Sequence, residues 1–425
     1  LSCRNILLKA GKNTLLNGDI RMRGLPDIDR TFIDFTANNL RTSYADAVQI
    51  IPELKRLSTP RLDKISYLNF KGSFTGFVRD FVTYGVIQTN LGTIRTDVNM
   101  KLPENGDPTY SGNITTRDFN IGEFMAYPAL GTISFKGKVD GSRFRLNDMQ
   151  FTLDGTVQSI TYNGYAYRDI GIKGTLARRL FNGYFTASDP ELSATLNGLI
   201  DMTLEEPAFN FTASIEKANL KKLNLYKEDI DIKGQVDFNF TGSDIDNFLG
   251  SARVHHATIL KNGKQLSFDS LSLVSNIEGN IKTIRVNSNE FDGYLSGEFS
   301  IHELPSAFKT FLNRYYPSYF DPPDRQMTRE DFIFAFNTRN VDEYLDLVNK
   351  DLKGFNDSHI SGRINSRNTT LSVDAALPAF SYKNILFSDL TVNSEGNLDT
   401  LRIDARIGEV IVNDSLRFPG TVIAV

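Results

Sequence analysis

Long, strict alternation of apolar and polar residues constrains this chain more than any other feature. From Leu192 the even positions are Leu192, Ala194, Leu196, Gly198, Ile200, Met202 and Leu204, and the positions between them are polar except Leu199. From Asp229 the pattern returns: Ile230, Ile232, Gly234, Val236, Phe238 and Phe240 share one parity, while Asp229, Asp231, Lys233, Gln235, Asp237 and Asn239 take the other. Side chains of a strand point alternately to its two faces, so each run predicts a strand with one apolar and one wet face. Both runs exceed the usual length of roughly five or six residues. A third run, Phe291, Gly293, Leu295, Gly297, Phe299 and Ile301, sets glycine where a core strand carries bulk. Gly198, Gly293 and Gly297 are therefore expected to keep the apolar face low, either for a bound chain or for close approach of a helix over 305–316.

Turn chemistry is read against the same parity. A two-residue hairpin reverses the parity of apolar positions, because the residues flanking it face each other. Across Asn197-Gly198 parity is unbroken, so the strand is expected to run straight through. Across Asn262-Gly263 it reverses, setting Lys261 against Lys264, Ile259 against Leu266 and Ala257 against Phe268. Other turn signals stand at Asn17-Gly18, Asn105-Gly106-Asp107, Asp140-Gly141, Asp154-Gly155, Asn163-Gly164, Asn182-Gly183, Asp189-Pro190 and Glu395-Gly396-Asn397. The expectation is a mainly β chain of long antiparallel meanders.

Short amphipathic helices punctuate it. Asn120 with Glu123 forms a capping box, stapled by Phe119 and Phe124. Leu304, Phe308, Phe311, Leu312 and Tyr315 fall at helical spacing behind Pro305, and a box of Asn340 with Glu343 precedes Val341, Tyr344, Leu345 and Val348. Thr42 to Ile50 also reads as helix, with Pro52 after it. An irregular echo recurs as Phe70-Lys71-Gly72, Phe135-Lys136-Gly137, Ile172-Lys173-Gly174, Ile232-Lys233-Gly234, Phe240-Thr241-Gly242 and Ile360-Ser361-Gly362. Its spacing is uneven, which disfavours a solenoid of fixed rung length. No linker stands out; the unpatterned stretch after Ser318 divides the chain into 1–320 and a continuation over 321–425.

Composition excludes several functions. With 425 residues, 47 Lys plus Arg against 51 Asp plus Glu and a net charge of -4, the chain lacks the basic footprint of a nucleic-acid binder. Trp is absent while Phe numbers 31, an apolar inventory suited to burial or to lipid. The single cysteine, Cys3, allows no internal disulfide. No window approaches the roughly 18 consecutive apolar residues of a membrane-spanning helix. A first residue other than Met and a last stretch that reads as strand suggest a segment of something longer.

Catalytic patterns are missing. His255 and His256 are adjacent and point to opposite strand faces, and His302 and His359 stand apart. "HELPS" at His302 lacks the second histidine of a zinc protease, and "GSFTG" at Gly72 has Phe74 where a nucleophilic serine would stand. Asp229 with Asp231, Asp27 with Asp29, and the loop acids Asp321, Asp324, Glu330 and Asp331 among Arg325 and Arg329 read as solvated surface. The expectation is a protein that is not an enzyme and uses no cofactor or metal. What remains is the apolar face, which is either the core between two packed sheets or the lining of a groove in one curled sheet. Strand length, the glycines and the lack of comparably long partner strands favour the groove, lined by Leu192, Ala194, Leu196, Gly198 and Ile200, by Ile230, Ile232, Val236, Phe238 and Phe240, and by Phe291, Gly293, Leu295, Gly297 and Phe299. Interrupting helices and absent Trp girdles disfavour a membrane barrel.

The phrases "NGDIRMRGLPDIDRTFIDF" from Asn17, "FNGYFTASDPELSATLNGLID" from Phe181 and "IRVNSNEFDGYLSGEFSIHELPSAFKTFLNRYYPSYF" from Ile284 resemble the periplasmic body of TamB-type translocation and assembly module proteins, within the AsmA-like group. The resemblance is one of pattern and phrase over essentially the whole chain, without a catalytic signature. It implies an elongated, taco-shaped β-sheet in the periplasm whose apolar inside conducts phospholipid between inner and outer membranes. It also implies an inner-membrane anchor and an outer-membrane β-barrel partner, both engaged through segments outside this chain. Assistance in outer-membrane protein assembly is the family's other reading, and a structural or adhesive β module with a sealed core is the alternative from a different class.

Overall fold

The computed structural model describes residues 1–50, 52–56, 60–143, 149–177, 179–261, 263–318, 320–322, 330–348, 351–413 and 415–424. Asn262, Asp324, Arg325 and Arg329 lie outside the described residues. Among those described there are 26 strands and four α-helices, and every pairing is antiparallel. The protein is thus mainly β with a few short helices, in open sheets: the first strand, Ser2–Ala10, pairs with Thr14–Arg23, and the last, Leu416–Ala424, with Leu401–Asn413. Among the described residues no helix is long and apolar enough to cross a membrane.

Two compact units divide the chain, Leu1–Glu205 with Phe211–Ile232 and Glu206–Asn210 with Lys233–Val425. The first holds a core of Phe135, Val139, Val157, Tyr167, Ile170, Ala187, Ala218 and Leu223. The second is centred on Phe332, Ile364, Ala307 and Phe311. The division expected at 320/321, a continuation without a sharp linker, falls within the second unit, where Phe291–Glu298 pairs along its whole length with Asp331–Thr338.

Strand length comes at a geometric cost that the chain meets with single left-handed residues. Asp169 (φ 51) sits within Tyr165–Ala177 and His256 (φ 47) within Leu249–Lys261. At each one the apolar parity switches, from Tyr167 to Ile170 and from Val254 to Ala257, while both members stay in the same core cluster. A bulge-like residue re-aims the strand, and Asp and His tolerate positive φ better than most side chains. A long twisted strand can then keep one face on its core.

The hairpin expected at Asn262-Gly263 has its register, with Lys261 opposite Lys264, Ile259 opposite Leu266 and Ala257 opposite Phe268. Asn197-Gly198 runs inside the strand Leu192–Asp201, and Asn163-Gly164 turns between Tyr162 and Tyr165. Four of the expected turns are instead strand interior: Asn17-Gly18, Asp140-Gly141, Asp154-Gly155 and Asn182-Gly183. The cause is close approach of backbone. A Cβ on Gly18 would stand 2.1 Å from the Thr36 carbonyl oxygen, and one on Gly155 2.6 Å from Gly137 Cα.

Helix α1 (Tyr44–Ile50) carries buried Asp46, whose carboxylate accepts from the Asn13 and Lys12 amides and the Thr14 hydroxyl. Those hydrogen bonds, the Asn13 amide foremost, hold its pKa below the ordinary carboxylate value. Helix α2 (Ile121–Met125) is capped as expected: Asn120 Oδ1 accepts from the Glu123 amide at 3.0 Å, and Phe119 meets Phe124 at 5.2 Å. Helix α3 (Leu304–Tyr315) has Pro305 in its first turn. Helix α4 (Asp342–Val348) departs from its expected box: Val341 is the residue before the helix, and its amide donates to Asn356 Oδ1 at 2.8 Å. Asn340 is one residue too early to cap it.

Candidate functional site

Directly opposed residues of antiparallel strands share a face, so the register of three strands in the first unit defines three rows. Ile172, Phe185 and Leu196 form one, and Leu176, Phe181 and Ile200 another. Between them lies a row of glycine alone: Gly174, Gly183 and Gly198. The two apolar rows line an open depression of about 550 Å³, rimmed by Leu180, Met202 and Arg179. A Cβ on Gly174 or Gly183 would first meet backbone of the neighbouring strand, at 2.4 and 2.3 Å. The glycines let these strands approach closely, and the bulk missing above them leaves a trough between two half-buried walls.

Other glycine pairs are filled. Gly72 faces Gly85 and Gly137 faces Gly155, and the ring of Phe70 or Phe135, two residues before the first glycine, lies over each pair. Cβ atoms there would stand 2.6 to 3.0 Å from ring carbons. Ile172 occupies the equivalent position before Gly174, and the row stays open.

In the second unit the corresponding face is covered by the chain itself. Leu295, Phe334 and Gly362 form one row and Gly297, Phe332 and Ile364 another. Helix α3 buries Ala307 and Phe311 on this surface, leaving Phe332 1% and Ile364 0% exposed, and Leu295 and Phe299 pack at the edge of the cluster. At the other end Tyr344 of α4 meets Phe291 edge-on at 5.6 Å. Neither a bound chain nor α3 accounts for the glycines here. A Cβ on Gly293 would sit 2.8 Å from Val286 Cγ1 and 3.1 Å from the Phe336 ring; Gly297 has φ 143 and its Cβ would fall 2.1 Å from the Asp331 carbonyl oxygen.

A buried lysine ends that row. Lys282, opposite Gly297, donates to the carbonyls of Ile245 (3.2 Å) and Asp246 (2.5 Å), and burial pushes its pKa down. Asp246 in turn accepts from Ser300 Oγ at 2.7 Å and from the Ile301 amide. Burial pushes the Asp246 carboxyl up, but hydrogen bonds from Ser300, Ile301 and His302 outweigh it and hold the pKa below its ordinary value. This chain of contacts fixes the approach to α3.

Of the expected lining residues, Leu196 and Ile200 line the trough, and Gly198 lies in the glycine row between them. Ala194 lies opposite buried Ala187, and Leu192 and Ile232 pack against the first unit's core. Ile230 and Val236 are half-buried, and Phe238 and Phe240 join Phe209 and Phe248 in an aromatic cluster with centroids 4.8 to 5.6 Å apart. Ile172, Leu176, Phe181 and Phe185 lie outside the expected lining; the turn chemistry of Asn182-Gly183 masks the alternation of Phe181, Gly183 and Phe185.

The polar candidates lie scattered. His256 Nε2 is 3.6 Å from Asp269, His359 bonds Asn337 and Ser361, and Asp229 and Asp231 share the Asn219 amide. Among the described residues no three His, Cys, Asp or Glu are grouped to hold a metal. No protein-family model, no curated protein and no solved structure matches the chain.

Proposed function

We propose that the protein holds phospholipid acyl chains on the apolar faces of its sheets and conducts them through the periplasm between inner and outer membranes, by binding and not by catalysis. The observation that carries this reading is the glycine row. Where Phe70 and Phe135 fill such rows, Ile172 leaves this one as a trough of about 550 Å³ with apolar walls. An alkyl chain gains about 0.8 kcal/mol for each methylene it takes out of water, and a floor without side chains lets it lie close to the backbone. The resemblance to TamB-type proteins supports the same reading, and with it the periplasmic setting, the inner-membrane anchor and the outer-membrane barrel partner.

The sealed structural module keeps one observation in its favour, the dry contact of α3 with Phe332 and Ile364. A photoactivatable residue at position 196 or 181 of the full chain, expressed in a diderm bacterium, separates the two. Phospholipid adducts at these positions, and none at the exposed outward-facing position 197, are the expected result. Absence of adducts at both trough positions returns the sealed module.

A further inference from the structure

The wet face of the first unit carries one row unlike its neighbours. Register sets Lys71, Val86, Arg95, Thr115, Lys136 and Thr156 directly opposite one another across six adjacent strands, from Leu68–Phe77 to Gln150–Tyr162. Their parity is opposite to that of Phe70, Phe135 and the paired glycines, so the row lies on the far side of the sheet from the apolar face. Lys71, Arg95 and Lys136 are exposed, and among the described residues none of these three side chains joins an ion pair or a hydrogen bond. The adjacent row on the same face, Tyr84, Asp97, Asn113, Lys138, Asp154 and Lys173, intersperses both signs, with Lys173 on Asp154 at 3.1 Å. The stripe holds three cations and no carboxylate, on a chain whose net charge is -4.

The cations stand on every second strand. Strands lie about 4.8 Å apart, so the charges recur at roughly 9.6 Å. A strand of duplex DNA carries a phosphate about every 3.4 Å along its axis, and most of those phosphates would find no cation here. A bilayer would find no exposed apolar side chain in the stripe to insert, since Val86 is half-buried. Two strand spacings are close to the disaccharide repeat of an extended β-linked glycan. Between the cations the row offers the hydroxyls of Thr115 and Thr156, each able to donate and accept. Beside it, two residues from Val86 on the same strand, Tyr84 is 60% exposed and makes no ring contact. An aromatic face and free hydroxyls are what a pyranose ring takes up. We propose that this stripe binds a linear acidic glycan with one carboxylate per disaccharide, laid across the strands with its carboxylates on Lys71, Arg95 and Lys136 and a sugar ring against Tyr84. The stripe and the glycine row occupy opposite faces of the sheet, so this site is independent of the conduit reading.

The test is calorimetric titration of the full chain, at low salt, with a hyaluronan octasaccharide, which carries one carboxylate per disaccharide. Binding is expected, and it should weaken as salt screens the charges. A neutral chitin oligosaccharide of the same length should bind at least about tenfold less tightly, having lost three ion pairs. Lys71→Gln, Arg95→Gln and Lys136→Gln should each weaken hyaluronan by about two- to fivefold, the range of one exposed ion pair, and Tyr84→Ala should do the same. Lys173→Gln, on the same face but already paired with Asp154, should leave the affinity unchanged. All five side chains are exposed, so melting temperatures should hold. An oligogalacturonate of equal length, with a carboxylate on every sugar, separates spacing from charge and should bind no more tightly than hyaluronan. The proposal is overturned by a wild type that does not bind hyaluronan, by equal binding of the neutral oligosaccharide, or by tighter binding of the galacturonate. A Lys173→Gln as costly as Lys136→Gln overturns it as well, because attraction is then general to the face. Phosphatidylglycerol vesicles that bind and displace the octasaccharide make the stripe a membrane contact and remove the glycan.

Discussion

Gly297 shows how a residue on an apolar face is fixed by something other than that face. Its φ of 143 is a conformation that side chains rarely adopt, and the Asp331 carbonyl leaves no room for a Cβ. Strained backbone of this kind costs about 1–3 kcal/mol, so Gly297→Ala should destabilise the second unit by at least that much in a thermal melt, with or without lipid. Gly293→Ala meets the movable Val286 Cγ1 and Phe336 ring and should cost less; the reverse order would refute this account. Glycine on the apolar parity was legible in the sequence. Its cause was not, since it lies in the path of the neighbouring strand. Asp246 gives a second test at this scale. Its folded pKa is depressed, so its contribution is present above the unfolded value and is lost as pH falls through the folded one. Protection from hydrogen exchange over 299–315, taken relative to each amide's intrinsic rate at that pH, should therefore fall selectively on acidification below the ordinary carboxylate value of 3.8. In Asp246→Asn that protection should already be lower at neutral pH and respond less to acid.

At the scale of strands, the echo of an apolar residue, a Lys, Ser or Thr, and glycine is a packing device whose meaning appears only with the register. Phe70 and Phe135 each lie across their own glycine and the glycine opposite, and Phe135 is 7% exposed within the first core. Phe135→Ala should cost about 3–5 kcal/mol, as buried phenylalanines do, measured by denaturant or heat. Ile172 stands in the same relation to Gly174 and Gly183. Ile172→Phe should lay a ring over that pair, hold or raise the melting temperature, and lower phospholipid labelling at position 196. Labelling unchanged in a folded Ile172→Phe protein would mean that the trough is not the path. Apolar parity is unbroken across Asn182-Gly183, where Phe181, Gly183 and Phe185 share it, and across Asp154-Gly155, where Leu153, Gly155 and Val157 do, as it is across Asn197-Gly198. Dipeptide turn chemistry is local, whereas parity reports the face a strand must keep, and in these strands the face decides.

For the molecule as a whole, the same alternating pattern produces an open trough in one unit and a helix-sealed core in the other. Periodicity alone could not distinguish them. Alternation specifies that one face is apolar, and the covering is supplied by α3, whose own apolar stripe was legible but whose resting place was not. A charge discriminates between the two environments. Phe332→Asp or Ile364→Asp would bury an ionised group with no partner and no water, at a cost of several kcal/mol, and should abolish soluble folded protein. Leu196→Asp with Phe181→Asp places its charges on half-buried walls open to solvent, where the carboxylates stay hydrated whenever lipid is absent. Two charges on neighbouring strands are needed, because a mobile alkyl chain can pass beside one. That double variant should fold with only a modest fall in melting temperature, lose phospholipid adducts at position 200, and fail to restore envelope function in a deletion strain. If it unfolds as completely as Ile364→Asp, the trough is a sealed core after all. If it folds, keeps its adducts and complements, lipid takes another route.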